Sequence, residues 1–126
     1  MSANKKILVA DDDSRNRKLL ETLLGADGYL VTTVNSGQAT LNAVASERPD
    51  LILLDLMMPG MDGFEVVRRL KSDAATRDIP IVMVTALDDT GSRLRLLAAG
   101  VADLISKPID RWQLKERLEQ LLGSPS

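Results

Sequence analysis

Four stretches of the chain end in residues able to do chemistry: Asp11-Asp12-Asp13, Asp55, Thr85-Ala86 and Ser106-Lys107-Pro108. Like charges about 4 Å apart repel by ~1 kcal/mol in water and by several times that at an effective dielectric near 20. If Asp11, Asp12 and Asp55 are brought together, they therefore need a cation or protons. The chain has no histidine and no cysteine, so any ligand set is all oxygen. That suits a hard ion, and a site with few carboxylates suits Mg²⁺ better than a dedicated Ca²⁺ cage. With Mg²⁺ bound, one carboxylate can act as nucleophile toward a phosphoryl group, whose transfer asks for positioning and charge neutralisation rather than a strong base. The transferred oxygens then need a hydroxyl and a cation, which Thr85 and Lys107 offer. Taken singly, each residue has a plainer role. Three acids can simply cap a helix, Asp55 can open the turn-rich segment Met58-Pro59-Gly60-Met61-Asp62-Gly63, Thr85 can bond backbone, and Lys107 can be a solvated charge.

The chemistry depends on what carries these residues. Five apolar runs recur: Ile7 to Ala10, Leu30 to Val34, Leu51 to Leu54, Ile81 to Val84 and Val101 to Ile105. The first, third and fourth are unbroken, as strands buried on both faces must be. Between them leucine-rich segments have helical spacing: Leu19, Leu20, Leu23 and Leu24; Leu41, Val44 and Ala45; Phe64, Val67 and Leu70; Leu94, Leu97 and Ala98. A last one carries Leu114, Leu118 and Leu121. Ser14 or Asp13 caps the first helix and Gly28 ends it; Ser36 and Asp62 open the second and third; Gly123 closes the last. Pro80 falls at a strand start, where a missing donor costs least. Strands alternating with helical crossovers imply parallel pairing, hence an α/β, doubly wound (βα)5 sandwich. In such a sheet ligands bind beyond the carboxyl ends of the strands, where the chemistry-bearing residues fall. Trp112, Tyr29 and Phe64, the only aromatics, are expected in or beside the core.

Composition narrows the function. The 126 residues are expected to form one domain, 1–126, with a core of about 5–122. Sixteen Lys and Arg against eighteen Asp and Glu give a net charge of −2, so no overall positive field draws the chain to nucleic acid or an anionic membrane. No apolar run approaches a membrane span and the first residues lack a signal-peptide core, so the expected compartment is the cytoplasm.

The stretches Ile7-Leu8-Val9-Ala10-Asp11-Asp12-Asp13, Leu53 to Gly63, Val84-Thr85-Ala86 and Ser106-Lys107-Pro108 together resemble the receiver domain of two-component response regulators, the CheY-like family. The resemblance runs from about Lys5 to Leu122 and is similar both to single-domain regulators and to receivers joined to diguanylate cyclases. It implies a flavodoxin-like sheet order 2-1-3-4-5 and a switch rather than an enzyme. Asp55 would accept a phosphoryl group from a histidine kinase or histidine phosphotransfer protein. Asp12, Asp55 and the carbonyl of Met57 would bind Mg²⁺, with Asp11 acting through water. Thr85, the amide of Ala86 and Lys107 would contact the phosphoryl oxygens, and the Lys107-Pro108 bond is expected to be cis.

Two departures from the family pattern bear on tuning. The position three before the lysine, usually aromatic, is Leu104, so a smaller apolar repacking behind Thr85 is expected instead. Met57 and Leu87, flanking the path of the hydrolytic water in the family, are both apolar and predict a long-lived acyl phosphate. The implied output is a downstream protein target or an attached output domain, and a homodimer through the fourth helix, fifth strand and fifth helix is a further option. The rival reading is a haloacid-dehalogenase-type phosphatase with Asp11 as nucleophile and Asp13 as general acid. A nucleotide or flavin module is weaker, since no Gly-rich phosphate loop follows the first strand.

Overall fold

The computed structural model describes residues 4–86 and 90–123. Strands β1 (Lys6–Ala10), β2 (Leu30–Val34), β3 (Leu51–Asp55), β4 (Ile81–Thr85) and β5 (Asp103–Ser106) alternate with helices α1 (Ser14–Ala26), α2 (Gly37–Ser46), α3 (Gly63–Lys71), α4 (Thr90–Ala98) and α5 (Arg111–Leu122). All pairings are parallel and the order is β2-β1-β3-β4-β5, the doubly wound arrangement that continuous apolar strands and helical crossovers call for.

Period-two alternation divides the core in two. On one face Leu8, Ile52, Leu54, Ile81 and Met83 pack against Val44 of α2, Val66, Val67 and Leu70 of α3, and Leu96 of α4. On the other, Ile7, Val9, Leu53, Val82, Val84 and Ile105 meet Leu20 and Leu24 of α1 and Leu114 and Leu118 of α5. Every residue of β3 and β4 is buried, which fixes the strands that carry Asp55 and Thr85.

Asp13 caps α1, accepting from the amide of Arg15, and Ser36, Asp62 and Asp110 cap α2, α3 and α5. Gly123 follows α5 with φ 78°. Helix α1 stops at Ala26, with Asp27 as its C-cap, and Gly28 lies beyond it at φ 96°. The fifth strand begins at Asp103 rather than Val101, whose amide is drawn back to the carbonyl of Leu96.

Three apolar expectations are corrected. Trp112 is 68% exposed, because Leu114 and Leu118 define the buried face of α5 and a residue two before Leu114 lies on the opposite side. In α4 only Leu96 is buried, while Leu94 and Leu97 are exposed. Leu96 faces the core and Leu94, two residues before it, lies on the opposite side, while Arg93, three before Leu96, bonds Ser106 of β5. Leu19 is exposed beside the buried pair Leu20 and Leu24 of α1. Tyr29 is buried and Phe64 packs half-buried against the first core, as expected.

Candidate functional site

Four strand ends converge at the carboxyl edge of the sheet. The β1–β3 register ends at Ala10 opposite Leu54, so Asp11 and Asp55, one step farther along, are neighbours. Asp11 stays in the sheet by donating its amide to the carbonyl of Val34, 3.1 Å. Thr85 pairs with Ser106, and the amide of Lys107 donates to the carbonyl of Thr85, 2.9 Å. That bond carries β5 one residue beyond its formal end and sets Lys107 beside β4. The Lys107-Pro108 bond is cis.

Asp55 is 3% exposed. Its Oδ2 accepts from Lys107 Nζ at 3.1 Å and its Oδ1 from the amide of Met57 at 3.2 Å. Burial pushes its carboxyl above the usual range. The bond and charge of Lys107 and the Met57 amide pull the other way, and the charge of Asp11 adds to the rise. Asp11 is buried and accepts the amide of Asp13 at 2.9 Å, whereas Asp12 is exposed. One carboxylate oxygen each of Asp11, Asp12 and Asp55 lies within 4.8 Å of the others. An all-oxygen trio of this kind, part buried and part open, fits a hard divalent ion that keeps water in its shell.

The sequence-expected residues are thus brought together: Asp11, Asp12, Asp55, Thr85 and Lys107 share one edge. Thr85 is buried and Ala86, directly after it, is exposed. Leu87 lies outside the described residues. Met57 is 65% exposed beside Asp55. Leu104, opposite Met83, is half-buried against the core under α3 and α4. Asp13, the general acid of the phosphatase reading, is engaged as the cap of α1.

Two contributors went unread in the sequence. Arg17 Nη1 donates to the carbonyl of Asp11 at 2.8 Å, pinning the turn that presents the acids; its only signal is a cation one helical turn after Asp13. Gly63 opens α3 where a Cβ would sit 2.8 Å from Leu56 Cα and 3.2 Å from the carbonyl oxygen of Asp55. Only glycine lets α3 approach the backbone of β3 so closely.

Comparison with known proteins gives this geometry a context. Response regulator PleD of Caulobacter vibrioides is 49% identical over 116 residues, which is 92% of this chain and 26% of that protein. The chain therefore spans about a quarter of that relative's length. Chemotaxis protein CheY4 of Vibrio cholerae superposes with a TM-score of 0.90 at 29% identity, covering 95% of this chain and 100% of that one. The receiver domain of sensor histidine kinase PA1611 from Pseudomonas aeruginosa PAO1, described with a magnesium ion coordinated in its active-site cleft, gives 0.87 at 33% identity, covering 97% and 100%. The response regulator receiver domain family matches residues 7–119, and with these strand-end acids, hydroxyl and lysine on the expected sheet edge the chain belongs to that family.

Proposed function

We propose that Asp55 is the phosphoacceptor of a two-component switch. A carboxylate oxygen of Asp55 attacks the phosphorus of a phosphohistidine on a histidine kinase or phosphotransfer protein. The phosphorus–nitrogen bond breaks, and an acyl phosphate forms. Asp12, Asp55 and the carbonyl of Met57 would hold Mg²⁺, with Asp11 acting through water, and the bound ion would supply positive charge against the phosphoryl oxygens. Lys107 moves its hydrogen bond from the carboxylate to a phosphoryl oxygen, while the Thr85 hydroxyl and the Ala86 amide donate to others. The chain assists its own phosphorylation and dephosphorylation and turns over no separate substrate.

One observation carries this reading: a carboxylate only 3% exposed that holds a lysine ammonium at 3.1 Å while sharing a 4.8 Å cluster with two more acids. The output is a change in partner binding, set by how differently the phosphoryl group interacts with two states of the domain. The surface of α4, β5 and α5, with Leu94, Leu97 and Trp112 exposed, is the docking face for a target, an attached output domain or a second copy.

The test is incubation with acetyl phosphate and Mg²⁺, followed by intact mass, for the parent and Asp55→Asn. The parent gains one phosphoryl mass and the variant gains none. A parent that stays unmodified with a competent donor, or a variant modified equally, sinks the reading.

A further inference from the structure

The chain has no cysteine, so an oxidant that attacks sulfur finds only methionine. Among the described residues the four methionines are unequal. Met83 is 0% exposed, Met58 5% and Met57 65%, with Met61 half-buried against the core. The open thioether belongs to the residue whose own amide donates to Asp55 Oδ1 at 3.2 Å. Its backbone is therefore anchored at the carboxylate while its side chain stays open to solvent.

We infer that Met57 is a peroxide-sensitive modification site that shortens the phosphorylated state. The inference rests on Asp55 being the phosphoacceptor. A lone pair of the Met57 sulfur attacks the terminal oxygen of a hydroperoxide and the O–O bond breaks. The hydroxyl delivered to sulfur loses its proton to the departing oxygen, leaving a sulfoxide and releasing water or an alcohol. Sulfur is oxidised by two electrons and the peroxide reduced by two. The product replaces an apolar group with a strong acceptor, which holds a water molecule by its hydrogen at the mouth of the site. The acyl phosphate beside it then hydrolyses faster, and reduction of the sulfoxide restores the original lifetime.

The chain is treated with graded hydrogen peroxide, mapped by peptide mass spectrometry, then phosphorylated with acetyl phosphate and chased. Met57 oxidises before Met58, Met61 and Met83, and the acyl-phosphate half-life falls about fivefold, the worth of one net hydrogen bond. Met57→Leu has the same half-life before and after peroxide, and Met57→Gln is short-lived without it. Preferential oxidation of Met58 or Met83, or an equal half-life for oxidised and untreated chain, overturns this inference alone. An untreated chain that never gains phosphoryl mass overturns the phosphoacceptor reading and this one with it.

Discussion

Asp55 is held between opposed demands. Burial and the neighbouring Asp11 charge favour its neutral form, and Lys107 with the Met57 amide favours the carboxylate. Because the rise wins, the charged carboxylate costs the folded state something that a neutral side chain of the same shape does not. In magnesium-free buffer Asp55→Asn is therefore expected to be the more stable of the two proteins and to melt above the parent. Added Mg²⁺ reverses the order. At about a hundred times its dissociation constant an ion that binds only the folded chain stabilises by ~2.7 kcal/mol, a gain that Asp12→Asn and Asp55→Asn lose. Thermal denaturation with and without Mg²⁺ measures both effects, and equal shifts in all three proteins would remove Asp12 and Asp55 from the ligand set. At this scale the sequence was most readable where a side chain supplies the chemistry. Asp11, Asp12, Asp55, Thr85 and Lys107 directly follow or end apolar runs, so their shared edge could be anticipated. Arg17 and Gly63 act on main-chain atoms, and such contacts leave no pattern of residue types.

The elements tell a similar story. Strands β1, β3 and β4 were legible because both of their faces are buried and the apolar run is unbroken. Helix α4 was legible as a helix but not by its buried face, because its leucines lie on more than one side and Leu96, not Leu94 or Leu97, is the one turned into the core. The start of α3 matters most for the site. Gly63→Ala drives a Cβ into Leu56 Cα at 2.8 Å, an overlap expected to cost about 1–3 kcal/mol and to slow phosphorylation by displacing the Asp55 backbone. Urea denaturation and the rate of phosphoryl uptake test this together, and a variant with unchanged stability and rate would refute the close-packing argument. In the same helix Glu65 accepts from Arg68 and from Arg69 Nε, the latter at 2.8 Å. Hydrogen bonds from these two guanidiniums lower its carboxyl from the ordinary 4.5 to about 2. A carboxyl lowered in the folded state stabilises above its unfolded value and loses that contribution as pH falls through the folded one. Glu65→Gln is thus less stable than the parent near neutral pH and converges with it as pH drops from 4.5 toward about 2. Urea midpoints across that range are the measurement, and a constant gap would contradict it.

Across the whole molecule the site must move something distant from it. Leu104 pairs with Met83 on β4, two residues before the end of the β4–β5 ladder, and packs half-buried against the core on that face. Under the proposed function it is an apolar group expected to repack as Thr85 turns toward a phosphoryl oxygen. Leu104→Ala is expected to destabilise by roughly 2 kcal/mol and to narrow the difference in partner affinity between phosphorylated and unmodified chain. Titrating an output partner against both forms tests it, and an undiminished difference would assign the switching elsewhere. The ammonium of Lys107 and the carboxylate it pairs with are 52 positions apart in the chain, and the acids come from two strands separated in the chain by two helices and the edge strand β2. No isolated stretch of this polypeptide can therefore do any part of the chemistry. With Asp55 as the proposed phosphoacceptor, a nascent chain whose last strand has yet to emerge carries its acids without their counter-cation and is expected to load phosphoryl groups more slowly than the complete fold.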